Sequence, residues 1–132
     1  MVNNPYESYK RLQVETASQG RLILMLYEGA LKNLRLSLDF IANKDTNQAH
    51  RCLIKAQEII MELNYSLNMD AGEIAQKLRS LYEYIHRRLV QANIKKDSVI
   101  VQEVIGLLSE LKEAWDAIIL GNKAAVTTVN GG

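Results

Sequence analysis

Residues that crosslink or punctuate a chain are scarce in this sequence. Cys52 is the only cysteine among 132 residues, which excludes an internal disulfide and fits a reducing compartment. Pro5 is the only proline, and only three of the seven glycines fall between residues 21 and 119. Because a β-meander needs frequent turn residues, these absences favour long helices and a cytoplasmic protein.

Charge of one sign and long apolar runs are also absent. Sixteen basic and fifteen acidic side chains give a formal net charge of +1, so no overall field draws the chain to nucleic acid or to an anionic membrane. No apolar run approaches the roughly 18 residues of a membrane span. The first ten residues, MVNNPYESYK, lack the basic and apolar regions of a signal peptide. We therefore expect neither nucleic-acid binding nor membrane insertion.

Helical periodicity is what the sequence does contain. Apolar residues recur at spacings of three and four in four segments, as they do on the buried side of amphipathic helices. Short polar stretches separate the segments, which favours an antiparallel up-down bundle. The positions expected to face the core are Leu24, Tyr27, Leu31, Leu34, Leu38 and Ile41 in the first helix, Ala49, Cys52, Ala56, Ile59 and Leu63 in the second, Ile74, Leu78, Leu81, Ile85 and Leu89 in the third, and Val101, Val104, Leu108, Leu111, Trp115 and Ile118 in the fourth.

This pattern divides the chain into three parts. Residues 17–119 are predicted to form an all-α four-helix bundle, and residues 120–132, which have no periodicity, a disordered C-terminal tail. Residues 1–16 are predicted to be a short N-terminal capping segment. Tyr6 and Tyr9 lie three residues apart in it, so one helical turn places both rings on one side. A segment this short is not stable alone and must dock or stay loose.

The first helix has more apolar residues than its predicted core-facing positions, here called its seam, require. Six apolar side chains run without a break from Leu22 to Tyr27, and six residues go more than once around a helix. Gly29 would let another backbone approach closely. A wide core stripe accounts for part of this surplus, and the rest predicts an interaction surface. The residues predicted to form this surface or its cap are Tyr6, Tyr9, Leu22, Met25, Leu26 and Gly29.

Candidate catalytic and metal-binding groups are incomplete. A di-metal bundle needs two Glu-x-x-His motifs and two further inward glutamates. Glu83 and His86 form one such motif, whereas His50 has no glutamate at the required spacing. No glycine-rich phosphate loop is present, and Cys52 falls at a core position that suits a small apolar role. The chain is therefore predicted to be no enzyme and to bind neither metal nor cofactor.

Two alternatives stay open on the residues alone. A histidine phosphotransfer domain is a bundle of similar size that needs an exposed histidine beside cations. His50 lies next to Arg51 and His86 next to Arg87, although neither histidine is followed by the Lys-Gly pair that typifies those domains. A homo-oligomer without a client would instead use the second apolar face as its dimer interface.

Several ordered segments resemble one known family. They are Asn4-Pro-Tyr6 with Tyr9, LILMLYEGAL (22–31), LIKAQEIIMELNYSLN (53–68), LYEYIHRRLVQANIKKD (81–97) and a late Trp115. Together they resemble the flagellar export chaperones for flagellin, the FliS family, over roughly residues 4–119. The family often has proline where this chain has Gln19, a difference that affects helix entry and no proposed contact.

The resemblance implies a cytoplasmic, non-enzymatic bundle that binds the disordered C-terminal segment of flagellin. Such binding would block premature polymerisation of the filament and escort the subunit to the flagellar type III export gate. It also implies that the N-terminal segment, with Tyr6 and Tyr9, caps an apolar groove. Other flagellar regulators, and a second copy of the chain in a homodimer, are the further partners expected.

Overall fold

The backbone described by the computed structural model covers residues 5–131, and the described side chains are those of residues 19–118. Almost all of this backbone is helical. Its elements are α1 (Pro5–Ala42), α2 (Thr46–Tyr65), a 3₁₀ turn (Met69–Ala71), α3 (Glu73–Lys95) and α4 (Ser98–Gly131).

The four helices form a closed ring. α2 packs between α1 and α3, α4 packs against α3, and α1 also packs against α4, so each helix has two neighbours. The connections span residues 43–45, 66–72 and 96–97, and connections this short join antiparallel neighbours. The prediction of an all-α, up-down four-helix bundle is confirmed.

Local chemistry explains where the chain turns. Between α1 and α2, the backbone of Lys44 is left-handed at φ 58°, and its N–H donates to the carbonyl of Ile41 at 3.0 Å. Asp45 then caps α2, because its carboxylate accepts from the N–H of Gln48 at 3.2 Å. At the entry to α3, Gly72 has φ 78°, a conformation that costs glycine least.

The core runs along the bundle axis and contains most of the predicted seam. Tyr27 and Tyr82 are the largest fully buried side chains. Leu38, Leu111 and Trp115 are partly buried and pack against the core from its edges. The predicted positions that are buried are Tyr27, Leu31, Leu34, Ala49, Cys52, Ala56, Leu63, Ile85, Leu89, Val101, Val104 and Leu108.

Two predicted core positions are wrong. Ile74 is 70% exposed and Ile118 is 54% exposed. Ile74 lies in the first turn of α3, where Ala75 is the buried residue. Ile118 keeps the seam spacing of α4, but α2 ends at Tyr65 and α3 begins only at Glu73, so these two helices do not cover it. Periodicity identifies the inward face of a helix and not the level at which its neighbours stop.

The seam at the start of the described part of α1 also differs from the prediction. Leu24 is half-buried and does not pack against the core cluster, whereas Ile23 and Leu26 do. Ile23 precedes Tyr27 by four residues and Leu26 precedes Ala30 by four, so each shares a helix face with a buried residue. Leu26 therefore belongs to the core edge rather than wholly to a second face.

The backbone is helical through both predicted segment boundaries. α1 begins at Pro5 rather than near residue 17, and α4 extends to Gly131 through the predicted start of the tail. Between Pro5 and Gly20 the chain has no residue that breaks a helix. The division into a capping segment, a bundle and a tail stays a prediction, because side chains before residue 19 and after residue 118 lie outside the described residues.

A hydrogen-bonded ion pair joins α3 to α4 on the outside of the bundle. Arg88 donates to the two carboxylate oxygens of Glu103 at 3.3 and 2.9 Å, and the Tyr84 hydroxyl donates to the same carboxylate at 2.7 Å. These hydrogen bonds, the one from Arg88 above all, hold the pKa of Glu103 below its usual value.

Glu103→Gln is expected to flatten the acid side of the stability profile. Because the folded pKa of Glu103 is depressed, its contribution is present above its unfolded pKa of about 4.3 and is lost as the pH falls through the folded pKa. The free energies of unfolding of the wild-type protein and the variant, measured by denaturation between about pH 7 and about pH 3, should converge at the acid end. A difference in free energy of unfolding that stays constant over this pH range would contradict the lowered pKa of Glu103.

Candidate interaction surface

Most of the exposed large apolar side chains lie at one end of the bundle. The antiparallel order places the first described turns of α1, the end of α2, the start of α3 and the last described turn of α4 at this end. Among the described residues eleven large apolar side chains are exposed, and seven of them form this apolar end: Leu22, Met25, Met61, Tyr65, Met69, Ile74 and Ile118. Exposed apolar surface collected from four helices is typical of an interaction site.

The residues predicted for interaction on α1 separate into two groups. Leu22 and Met25 are 55% and 59% exposed, and their spacing of three places them on one side of the helix. Leu26 is half-buried against the core. The side chains of Tyr6 and Tyr9 lie outside the described residues. The structure thus brings Leu22 and Met25 together on the surface and places Leu26 beneath it.

Gly29 lies at the contact between α1 and α2. A methyl group on its Cα would be 3.4 Å from Cδ1 of Ile59, which is an ordinary van der Waals distance. Its carbonyl accepts a hydrogen bond of 2.8 Å from the side chain of Asn33. The neighbour that approaches this glycine is therefore a side chain of the same bundle, and a role for Gly29 toward a partner stays a prediction.

A groove between α2 and α3 continues from the apolar end. It has a volume of about 280 Å³, with an apolar floor and a polar rim. Met61 is 42% exposed in it, and Ile60 and Tyr82 are buried beneath. The residues that define this α2–α3 groove are Ile60, Met61, Asn64, Tyr82, Glu83, His86 and Arg87.

Sequence reasoning missed the contribution of α2 to this surface. Met61 lines the groove, and Tyr65 is 81% exposed beside it at the end of the same helix. Both are apolar residues outside the predicted seam of α2, so the signal was the same kind of surplus that singled out Leu22 and Met25 on α1.

Two buried tyrosines support the floor of the α2–α3 groove. The hydroxyl oxygens of Tyr27 on α1 and Tyr82 on α3 are 2.5 Å apart, and the ring centroids are 6.5 Å apart. Burial is the main cause that raises the pKa of both phenols. Both tyrosines are therefore neutral near pH 7, and their hydrogen bond crosses the bundle diagonally.

Ion pairs neutralise only some of the charged side chains on the polar rim of the groove. Arg79 pairs with Glu83 at 3.3 Å, whereas Arg87 forms no ion pair with any residue whose side chain is described. Asn64 buries its Oδ1 atom without a hydrogen-bond partner among those residues. The groove therefore offers a partner an apolar floor and one guanidinium without an ion pair among the described side chains, whereas the buried Asn64 Oδ1 is out of a partner's reach.

The groups considered for chemistry are dispersed. Glu83 and His86 both line the α2–α3 groove, but among residues 19–118 no three His, Cys, Asp or Glu side chains are grouped closely enough to hold a metal ion. Burial raises the pKa of the Cys52 thiol, which disfavours the nucleophilic thiolate. Nδ1 of His50 lies within 3.2 Å of the Asn93 side chain.

No helix in the described part of the chain is long and apolar enough to cross a membrane.

Comparison with known proteins identifies the family. The model of the family described as "Flagellar protein FliS" matches residues 2–122. The chain belongs to the FliS family. Its FliS relatives include the flagellar secretion chaperone FliS of Bacillus subtilis (strain 168), which is 44% identical over 118 residues, or 89% of this chain and 88% of that protein.

More distant FliS proteins match over a similar length. The flagellar secretion chaperone FliS of Salmonella typhimurium (strain LT2) is 39% identical over 118 residues, covering 85% of this chain and 87% of that protein. That of Escherichia coli (strain K12) is 34% identical over 120 residues, covering 86% and 88%. The resemblance found in the sequence is confirmed, and FliS is a family of chaperones rather than enzymes. Membership supports a role in flagellum assembly and export.

Proposed function

We propose that this FliS-family chain is a cytoplasmic chaperone that binds the disordered C-terminal segment of flagellin. Binding keeps the segment from polymerising and brings the subunit to the flagellar type III export gate. The observation that carries the proposal is the apolar end, where seven large apolar side chains from all four helices and the 3₁₀ turn are exposed. No catalytic step is included, because the candidate reactive groups are dispersed or buried.

The physical mechanism is folding coupled to binding. A disordered client with amphipathic stretches gains helical structure when its apolar faces enter grooves between bundle helices. Ordering such a client costs about 2–5 kcal/mol, which burial of about 1,000–3,000 Å² offsets. The α2–α3 groove and the exposed pair Leu22 and Met25 supply apolar surface on adjoining sides of the bundle end.

The N-terminal segment is the proposed cover for this surface when the client is absent. Tyr6 and Tyr9 would lie on or beside the apolar end and leave it when flagellin binds. The proposal is supported by the resemblance of the first residues, Asn4-Pro-Tyr6 with Tyr9, to the FliS family. Because α1 is helical from Pro5, Tyr6 lies about 24 Å along the helix axis from Leu22, so covering the apolar end requires the first turns of α1 to bend back or unwind. A displaceable cover prevents the exposed apolar surface from driving self-association.

Calorimetry with the C-terminal segment of flagellin from the same organism tests the proposed function. We expect binding at about one segment per chain with a negative heat-capacity change, because apolar surface is buried. A scrambled segment of the same composition serves as the control and should not bind. Failure of the native segment to bind at tens of micromolar would overturn the proposal.

Self-association through the apolar end is the second candidate, since the same exposed side chains would suit a homodimer interface. Sedimentation across a range of concentrations separates the two functions. Under the chaperone proposal, the flagellin segment binds the chain and dissociates any dimer that forms. A tight dimer that the segment neither binds nor dissociates would favour an oligomer without a client.

A further inference from the structure

We propose that Arg87 selects the client by pairing with a carboxylate of the helical segment that occupies the α2–α3 groove. This inference rests on the proposed function and specifies the chemistry of the partner at one site. The occupant is an amphipathic helix of the client with a large apolar side chain facing the groove and an Asp or Glu three or four residues away, on the same face.

The size and lining of the groove favour a side chain of a peptide over a small molecule. Its volume of about 280 Å³ is at the lower limit of the roughly 300–1,000 Å³ of pockets that enclose small ligands, and it is large enough for one side chain. Met61 is a flexible, polarizable side chain at its edge, and such residues adapt to apolar groups of different shapes. The buried Ile60 and the ring of Tyr82 give it a fixed floor.

The charges along α3 single out Arg87. This helix carries three arginines: Arg79 pairs with Glu83 at 3.3 Å, and Arg88 pairs with Glu103 on α4 at 2.9 Å. Arg87 stands between them at the groove rim and has no acidic partner among the side chains of residues 19–118. A guanidinium beside an apolar floor suits a carboxylate held by a bound helix, because both groups lose water there and their hydrogen bond strengthens.

A second groove, between α1 and α4, provides a comparison within the same molecule. It contains Arg35, which also forms no ion pair with the described side chains, but its lining mixes Glu28, Lys112 and Glu113 with Ser109. Lys112 already lies 3.9 Å from Glu28. Two glutamates of the chain line this groove beside its two cations, and little apolar surface is exposed in it, so it lacks the complementarity that we assign to the α2–α3 groove.

The test compares two charge reversals in the full-length protein, titrated with the C-terminal segment of flagellin. Arg87→Glu is expected to weaken binding about tenfold or more, because it replaces an attraction in a partly desolvated site with a repulsion. Arg35→Glu makes the same change of charge on the other side of the bundle and should alter binding less than about twofold. Both arginines are solvent-exposed, and denaturation curves of the two variants check that their folds are equally stable.

A rescue experiment identifies the paired carboxylate. Each Asp and Glu of the flagellin segment is changed singly to Lys, and one change should weaken binding to the wild-type protein and strengthen binding to the Arg87→Glu variant by about fivefold or more. Equal weakening by Arg87→Glu and Arg35→Glu would show an unspecific charge effect and overturn the inference.

Two further outcomes would also overturn it. If Arg87→Glu binds the flagellin segment as tightly as the wild-type protein does, Arg87 does not pair with the client. The proposed chaperone function is unaffected by that result. Tighter binding by Arg87→Glu would show that the client places a basic group, and not a carboxylate, beside this position. Absence of binding to the wild-type protein would overturn the proposed function together with this inference.

Discussion

Leu26→Glu is expected to lower the free energy of unfolding by about 2–3 kcal/mol, because it places a carboxylate against the apolar core without a partner. Leu22→Glu, one helical turn earlier, is expected to change stability by less than about 0.5 kcal/mol and to weaken binding of the flagellin segment about tenfold or more. The difference follows from burial: Leu26 packs against the core cluster and Leu22 is 55% exposed at the apolar end. Urea denaturation and calorimetric titration of the two variants measure both quantities.

The two leucines therefore act as controls for each other. Both lie in the run of six apolar residues from Leu22 to Tyr27 within the first helix, and sequence alone placed both on the interaction face. If Leu22→Glu destabilises the fold as much as Leu26→Glu does, Leu22 belongs to the core and the apolar end loses its α1 component. If Leu22→Glu leaves both stability and binding unchanged, the client does not contact α1 at this point.

The number and order of helices could be predicted because each has a seam that polar turns interrupt. Residues such as Leu34, Leu89 and Leu108 recur with their neighbours at spacings of three and four and are fully buried. Such spacing arises from helix geometry itself and needs no knowledge of partners. The same argument failed at Ile74 and Ile118, because exposure at a bundle end depends on where the other helices stop.

The candidate site could be predicted only in part. The surplus on α1 pointed to Leu22 and Met25, which are exposed, but it did not separate them from Leu26, because a helical wheel does not show how closely α2 lies against α1. The α2–α3 groove was not predicted. Its edge at Met61 belongs to one helix and its rim at Arg87 to another, and only tertiary packing brings two such faces together.

Tyr27→Phe and Tyr82→Phe are each expected to lower the free energy of unfolding by about 1–3 kcal/mol, because each leaves the other hydroxyl buried without its partner. The double variant should lose less than the sum of the two single losses, since removing both partners of a buried hydrogen bond is nearly neutral. The hydroxyls lie 2.5 Å apart and both side chains are buried, so water does not replace a lost partner. Urea denaturation of the four proteins provides the double-mutant cycle, and Trp115, the only tryptophan, serves as its fluorescent probe.

Trp115 also determines how the cycle is interpreted. Its side chain packs against the core close to both hydroxyls, so a hydroxyl left by a single substitution can turn to the indole N–H and recover part of its loss. If each single substitution lowers the free energy of unfolding by about 1 kcal/mol and the coupling energy of the pair still exceeds about 0.5 kcal/mol, the results agree with that rearrangement. If the two losses add to within about 0.5 kcal/mol, they contradict a direct hydrogen bond between Tyr27 and Tyr82. Because the ring of Tyr82 is also the floor of the α2–α3 groove and phenylalanine preserves that ring, Tyr82→Phe should bind the flagellin segment as the wild-type protein does once both are folded. Loss of binding in this variant would mean that the hydrogen bond between the hydroxyls also shapes the α2–α3 groove for the client, in addition to stabilising the bundle.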